Sequence, residues 1–439
     1  MVREIAWRIL RGGAPVLMRE VDRAARENGL DTRDRGLLRR LIGTEVRRRA
    51  TLRALVAKFA SGKPDADVAA HLHVGLVQLF FLDQVPDHAA VGETVGATRE
   101  TLGPRKAGYV NAVLRAATAA RKAGTIGDPR RDLALCDRHV AEPVFPDPKE
   151  HPLLWMESAL SIPAPLAKRW TRRYGEERAR ALALSALSEP DLSLRAIEPR
   201  EAVARALEEL GLAPRNGEHP AILLVAAEHT ERALTSELFA RGAFQAQGET
   251  ALRSAELLGA RSGERLLDAC AAPGGKTSVL AGSGARVVAC DSSFERLLRV
   301  RNGLERLALA SNAGLVACDA ATALAEGAFD GVLLDVPCSN TGVLAQRPEA
   351  RWRFGPASSR SLQALQERIL REGAARVRPG GRLVYSTCSL EPDENHQRVA
   401  TFLESHADFA LEEEIHALPD PRGPAGPVDG GYAARLRRS

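Results

Sequence analysis

The apolar residues of this chain change their period along its length. Over residues 1 to about 140 they recur at helical spacing with almost no β-branched alternation, as in 36-GLLRRLIGTEVRRRATLRALVAKF-59, 69-AAHLHVGLVQLFFLDQV-85 and 108-GYVNAVLRAATAARKAG-124. A period near 3.6 gathers such residues on one stripe of a helix, which is buried against other helices. Breaks at Ser61-Gly62-Lys63-Pro64 and Gly103-Pro104 punctuate the pattern, so the stretch predicts a bundle of roughly five to seven helices.

The segment 141-AEPVFPDPKEHP-152 holds four prolines in twelve positions. It lacks backbone donors, cannot continue a helix and reads as the heart of a linker over 141–165. After it, 153-LLWMESALSIPAPLAKRWTRRYG-175 reads as helical in two pieces around Pro163 and Pro165. From about 192 to 250 short apolar runs (LSLRAI, AILLVAA, AFQAQGE) alternate with helical ones (EAVARALEELG, RALTSELFARG). That is the outline of a small α/β subdomain, ferredoxin-like or RRM-like, although it lacks the aromatic-rich strands on which such domains stack bases.

Five further strand candidates follow: 265-RLLDAC-270, 286-RVVACD-291, 314-GLVACD-319, 331-GVLLDVP-337 and 382-RLVYSTCS-389. Strands alternating with helices predict a Rossmann-like, doubly wound parallel sheet, whose ligands bind beyond the carboxyl ends of its strands. The expected organisation is therefore multidomain: a helical domain at 1–140, the linker at 141–165, the small subdomain at 166–255 and the doubly wound domain at 256–439.

Composition narrows the function classes. With 45% apolar and 27% charged residues the chain is globular rather than disordered. No run of 18 apolar residues occurs, and the amino terminus lacks an apolar core of signal-peptide length, so a soluble, cytoplasmic protein with no membrane partner is expected. Six cysteines include no C-x-x-C pair, which argues against a zinc site or a disulfide framework, and no metal is expected. A net charge of +5 and a pI near 9.0 permit a polyanionic partner without requiring one. Arginines at 33, 35, 39, 40, 47, 48, 49 and 53 stand against only Asp34 and Glu45; they form either a solvated exterior or a phosphate-binding surface. Likewise Lys168, Arg169, Trp170, Arg172, Arg173 and Tyr174 either stack on nucleotides or pack Trp170 into a core with the bases outward.

The candidate chemistry lies at the strand ends. Pro273-Gly274-Gly275-Lys276-Thr277 is not a phosphate loop, because G-x-x-x-x-G-K-[ST] demands glycine where Cys270 stands, and it fails G-x-G-x-x-G as well. A tight turn free of side chains remains, letting a ligand approach the backbone. Asp291 and Asp319 follow at two successive strand ends; either alone reads as a turn former or helix cap, but the two beyond a glycine turn suit the ribose and adenine ends of an adenosyl ligand. Two cysteines then suggest a reaction. C5 of cytosine is a poor nucleophile until a thiolate adds to C6 and makes C5 enamine-like, after which a second group helps the C5 proton and the thiolate to leave.

These strings carry a resemblance. Residues 31-DTRDRGLLRRLIGTEVRR-48, 83-DQVPDHAAVGETV-95 and 107-AGYVNAVLR-115 resemble the NusB-type helical domain. Residues 266-LLDACAAPGGKT-277, 330-DGVLLDVPCSNTGVL-344 and 380-GGRLVYSTCSLEPDEN-395 resemble the cofactor, Pro-Cys and Thr-Cys motifs of RNA cytosine-C5 methyltransferases. Together they resemble the RsmB (Sun/Fmu) family acting on bacterial 16S ribosomal RNA.

The resemblance implies S-adenosyl-L-methionine as cofactor, with Cys388 as nucleophile and Cys338 as the helper of release. Asp335 would hold the cytosine edge and border the cofactor. Cys270, Ala271, Ala272, Pro273, Gly274, Gly275 and Lys276 would wrap the methionine part, with Asp291 on the ribose and Asp319 on the adenine. It implies ribosomal RNA, or a small-subunit assembly intermediate, as partner of a monomeric enzyme. Because a thiolate cannot reach C6 inside a stacked helix, the base must be unpaired or flipped. The segment 346-QRPEARWRF-354, with Arg347, Arg351 and Arg353 around Trp352, is either an RNA grip or a basic surface loop. Alternatives are the same chemistry on tRNA or 23S rRNA, a DNA enzyme, against which Cys388 argues, and an assembly factor with an idle methyltransferase domain. Three departures from the family pattern stand out: Val336 in place of alanine, Gln247 in place of aspartate, and a terminal 429-DGGYAARL-436 poor in aromatics.

Overall fold

The helical period of the first 120 residues becomes six helices in a computed structural model of the chain, which describes residues 1–319, 322, 324–419 and 429–439. They are α1 (Val2–Leu10), α2 (Met18–Glu27), α3 (Thr32–Phe59), α4 (Ala66–Phe81), α5 (Asp87–Leu102) and α6 (Pro104–Ala120). The ends are read from local chemistry: Asp31 and Asp65 cap α3 and α4 by accepting from Asp34 N and Val68 N, and Pro104 opens α6, where its missing N–H costs nothing. The core stripe includes Leu38, Leu41, Leu52, Leu72, Leu76, Phe80 and Leu114. A two-stranded hairpin, β1 (Arg121–Ala123) against β2 (Arg138–Val140), follows.

The predicted linker is shorter than its prolines suggest. Pro152 is the first residue of a helix, α7 (Pro152–Leu160), and α8 (Ala164–Leu187) succeeds it. Trp155, Met156, Leu160, Leu166, Trp170 and Leu182 are buried in these helices, so Trp170 packs into a core. The chain divides at Ser188/Glu189, and one compact unit comprises Met1–Ser188 with Arg347–Phe354. The division expected at 140 and 165 is thus displaced, because α7 and the whole of α8 carry apolar stripes that the helical unit buries.

Residues 347–354 join this unit through a kink in α3. Arg48 has non-helical φ/ψ (−116°, 19°), which disrupts the ladder and leaves carbonyls needing new donors. Trp352 Nε1 donates to Val46 O at 2.6 Å, and Arg351 Nη1 to Arg47 O at 3.2 Å. Thr51 N–H donates to Ser161 Oγ at 3.1 Å. Arg351 is fully buried and also reaches Ser161 O (3.3 Å) and Ala186 O (2.6 Å). The RNA grip weighed for 346–354, with Arg347, Arg351 and Arg353 around Trp352, is therefore corrected for two of its members: Arg351 and Trp352 are bonded to the helical unit's own carbonyls, whereas Gln346, Arg347 and Arg353 are exposed.

The second unit, Glu189–Gln346 with Gly355–Ser439, begins with β3 (Leu192–Ala196), α9 (Arg200–Glu209), β4 (Arg215–Asn216), β5 (Ile222–Val225), α10 (Thr230–Leu234), α11 (Glu237–Ala240) and β6 (Phe244–Ala246). Its antiparallel sheet has the order β4-β5-β3-β6, the βαββαβ arrangement of a ferredoxin-like fold. Leu194, Val203, Leu207, Leu223, Val225 and Phe244 form its core. Then α12 (Glu249–Glu256) leads to the large sheet.

That sheet contains β7 (Arg265–Asp268), β8 (Arg286–Asp291), β9 (Ala313–Ala317), β10 (Phe329–Asp335), β11 (Val377–Thr387), β12 (Phe409–Ala417) and β13 (Gly431–Arg438), in the order β12-β13-β11-β10-β7-β8-β9. The helices α13 (Gly275–Gly282), α14 (Phe294–Arg306), α16 (Pro356–Arg376) and α17 (His396–Ser405) belong to this unit, while the short α15 (Ala350–Arg353) lies in the helical one. Strands β11, β10, β7, β8 and β9 run parallel, and alternate residues of β7 and β10 are buried on opposite faces, Leu267 and Leu334 on one, Leu266 and Leu333 on the other. The order reverses between β7 and β10, which is where such sheets bind ligands. Strand β12 was not foreseen: FALEEEIHA is largely exposed, and Glu412 pairs with Arg435 and Arg437 of β13, a charged edge that discourages further pairing.

Candidate active site

The glycine turn joins β7 to α13. Gly274 has φ +106°, and a Cβ there would press on Val300 Cα at 3.1 Å, so only glycine serves. The peptide before Pro273 is cis. Two buried polar atoms beside the turn lack hydrogen-bond partners among the described residues: Asp268 Oδ1 and Gln247 Nε2. Asp268 accepts from Thr277 Oγ1 at 2.7 Å through its other oxygen. Burial, with the charge of Asp335 adding and the Thr277 bond opposing, pushes its carboxyl up to about 7. Sequence reasoning passed over Asp268, whose signal was a carboxylate inside an otherwise apolar strand. Gln247 Oε1 accepts from Arg195 Nε at 2.7 Å, and a Cβ on Gly275 would stand 3.6 Å from Gln247 Nε2. Burial and the neighbouring carboxylates push the Cys270 thiol up, which keeps it protonated and unsuited to attack.

Lys276 reaches from α13 to the end of β10, where its Nζ lies 2.6 Å from Asp335 Oδ2; Asp335 Oδ1 accepts from Ser386 Oγ at 3.1 Å. Burial works against the ammonium, but the charge and hydrogen bond of Asp335, helped by Cys388, outweigh it and hold Lys276 above its ordinary value. Asp291 ends β8, almost fully buried, accepting from Ser293 N (3.0 Å) with Arg296 Nη1 3.3 Å away. Asp319 lies two residues beyond β9, exposed, and both its oxygens are engaged by Arg368 at 2.9 and 3.2 Å.

The two cysteines meet. Cys338 Sγ and Cys388 Sγ are 3.2 Å apart, at the carboxyl ends of adjacent strands β10 and β11. The hydrogen bond to Cys388 and burial push the Cys338 thiol well up. Asn340, at φ +60°, bridges them: its Oδ1 accepts from Cys388 Sγ at 3.2 Å and its Nδ2 donates to Cys338 O at 2.8 Å. Bonds between the two loops fix the pair. Ser339 Oγ donates to Glu394 Oε2 (2.7 Å), Leu390 N to Thr341 Oγ1 (2.9 Å) and Gly342 N to Cys388 O (3.0 Å), while within the second loop Thr387 Oγ1 donates to Asn395 Oδ1 (2.6 Å). Asn340 and Glu394 escaped notice as site residues although both lie inside the quoted cysteine motifs. Val336 packs in the apolar core of the sheet. Cys290 and Cys318 also belong with that core.

The arrangement offers a turn open to a ligand's main axis, unpaired buried polar atoms for its charged end, a strand-end carboxylate for hydroxyls, and paired thiols beside an ammonium–carboxylate pair. Those residue types fit an amino-acid-bearing nucleoside cofactor. Among the described residues no group of three or more His, Cys, Asp or Glu is arranged to hold a metal ion, and no helix is long and apolar enough to cross a membrane.

The family described as 16S rRNA methyltransferase RsmB/F matches residues 255–422, and the NusB family matches 3–119. Ribosomal RNA small subunit methyltransferase B of Pseudomonas putida is 35% identical over 431 residues, covering 93% of this chain and 91% of that protein. The probable enzyme of the same name from Bacillus subtilis is 29% identical, covering 88% and 83%. Among solved structures, PH0851 superposes with a TM-score of 0.77 at 22% identity, covering 100% of this chain and 99% of that one. NSun6 from Pyrococcus horikoshii with SFG gives 0.55 at 21%, covering 63% and 98%; at these identities the likeness is one of fold. The chain belongs to the RsmB/F family of 16S rRNA methyltransferases, and is an S-adenosylmethionine-dependent rRNA methyltransferase with a NusB-type helical domain.

Proposed function

We propose that this enzyme methylates C5 of a cytosine in 16S rRNA through a covalent bond between Cys388 Sγ and C6 of the base. The observation that carries the proposal is the pair of thiols 3.2 Å apart at adjacent parallel strand ends, beside the Lys276–Asp335 pair. Cys388 passes its proton to solvent and adds through Sγ to C6, with the Lys276–Asp335 pair beside it. The electrons of the C5–C6 double bond move toward C5, and Asp335 holds the polar edge of the ring. When bound, S-adenosylmethionine supplies an electrophilic methyl group. Solvent base admitted on the Cys338 side then takes the C5 proton, the C5–C6 double bond re-forms, and Cys388 Sγ leaves C6 as a thiolate.

Residues Cys270 to Lys276 hold the methionine end of the cofactor, with Asp291 on the ribose. Asp319 serves the adenine through the acceptor sites that its two hydrogen bonds from Arg368 leave open. One chain carries every group invoked, so a monomer suffices, acting in the cytoplasm on ribosomal RNA or an assembly intermediate. Cys388→Ala is expected to lower 5-methylcytosine formation by about a thousandfold or more while cofactor affinity stays unchanged. Cys338→Ala is expected to accumulate a protein–RNA adduct visible on a denaturing gel. Methylation by the first variant, or no adduct with the second, would overturn the respective role.

A further inference from the structure

Asp429 brings another carboxylate to the site from near the end of the chain. It lies just ahead of β13, and the peptide that follows it is held at both its oxygen and its nitrogen. Its carbonyl accepts from Thr250 Oγ1 in α12. The next residue, Gly430, donates its N–H to Gly342 O at 2.8 Å, and Gly342 N donates to Cys388 O. A Cβ on Gly431 would stand 3.4 Å from Cys388 Cα. The peptide carrying Asp429 is thus built onto the loops that carry the two cysteines.

Its side chain fills a vacancy in the sequence. A Cβ added to Gly248 would overlap Asp429 Oδ2 outright and stand 3.0 Å from Cγ. The carboxylate occupies the volume that a side chain at 248 would need, next to Gln247 and its unpaired Nε2. A structural role as cap of α12 is not made: Gly248 caps that helix with no side-chain bond, and among the described residues Gln346 Nε2 is the one donor to the carboxylate, through Oδ1. Burial and the charge of Glu249 push the carboxyl up to about 6, with Lys276 opposing. Lys276 is the ammonium that pairs with Asp335 at the end of β10, and the peptide after Asp429 is bonded to Gly342, itself bonded to Cys388 O, so the carboxylates and the thiols share one corner.

The chemistry of that corner selects an occupant. A cytosine joined to Cys388 through C6 presents its opposite edge, N3 and the exocyclic amino group, away from the sulfur. The amino group donates two hydrogen bonds, and a carboxylate only accepts. Uracil offers an acceptor at the same place, which a carboxylate repels. We propose that Asp429 is a second base-reading residue, whose carboxylate receives the exocyclic amino group of the target cytosine alongside Asp335 and fills the space left open at Gly248. This rests on the cytosine-C5 reading.

The test uses the full-length enzyme and RNA carrying 5-fluorocytidine or 5-fluorouridine at the target position, which traps the adduct. Wild type is expected to trap fluorocytidine strongly in preference to fluorouridine. In Asp429→Asn the amide can donate to O4, and the preference is expected to fall by about tenfold or more. Asp429→Ala is expected to lower kcat/KM about 100-fold with cofactor affinity unchanged, and Gly248→Asp combined with Asp429→Gly to recover at least about tenfold of that loss. An unchanged fluorocytidine preference in Asp429→Asn, or kcat/KM of Asp429→Ala within about threefold of wild type, would overturn the assignment. Failure of wild type to form 5-methylcytosine at all would instead overturn the reading on which it rests.

Discussion

Like charges gather twice in this protein, as arginines along α3 and as carboxylates at the ends of β7, β8 and β10, and the two gatherings follow different rules. In a parallel sheet every strand delivers its carboxyl end to the same side, so Asp268, Asp291 and Asp335 arrive together whatever separates them in sequence. In a helix each residue turns about 100° from the last, and a dense run scatters around the axis. Arg33, Arg39, Arg40 and Arg53 are exposed, whereas Arg48 and Arg49 are buried. Arg49 closes a two-pronged pair on Glu45, which His73 joins at 3.0 Å, and Arg48 lies over the Phe81 ring. One charge pattern builds a site; the other is divided between interior bonds and a surface.

The sharpest way to break the comparison is to remove the cation from the carboxylate side. Lys276→Met leaves Asp335 without its 2.6 Å partner and deprives the Cys388 thiolate of a neighbouring positive charge. The single-turnover methylation rate is expected to fall by about a thousandfold, since a preorganised charge in a secluded site is worth several kcal/mol. A loss below about tenfold would mean that Lys276 serves the cofactor alone.

On the arginine side the largest effect belongs to Arg351, which bonds four carbonyls, including those of Arg47, Ser161 and Ala186. Burial and the nearby Arg47 and Arg48 lower its guanidinium to about 9. Arg351→Met is expected to destabilise the protein by about 3 kcal/mol, because buried carbonyls lose charged donors. Thermal unfolding followed by circular dichroism measures it, and an unchanged midpoint would show that water replaces the guanidinium.

Arg351 also marks where the sequence stops being legible. The glycine turn, the strand ends and both cysteines could be located from local strings, because parallel-sheet topology converts those strings directly into a site. The partners of Arg351 stand as far as 304 residues away, at a kink in α3. No local period announces either the kink or the segment that satisfies it, so QRPEARWRF reads as a basic loop when half of it is structural. Asp429 is hidden for the same reason, since its place is defined by the absence of a side chain at Gly248, 181 residues earlier in the chain. Proline misled in the opposite direction: Pro152 sits at the first position of α7, where a missing donor does no harm.

The smallest effect concerns the arginines that remain outside. Arg39 lies 3.3 Å from Asp22, and Arg40 donates to Gln84 at 2.7 Å, bonds that exposed side chains exchange readily with water or phosphate. If α3 presents these groups to the RNA backbone, Arg33→Gln, Arg39→Gln and Arg40→Gln together are expected to weaken rRNA binding about tenfold at low salt. The slope of log affinity against log salt should flatten by about two, because each of the three lost contacts to a single strand removes about 0.7 of a released counterion. At saturating RNA the methylation rate should be unchanged, since none of the three belongs to the group of residues assigned to the chemistry. A weaker affinity with an unaltered salt slope would assign the loss to packing, and no change in either would make this face of α3 a solvated exterior, leaving Arg48 and Arg49, both buried, as the reason the arginines are there.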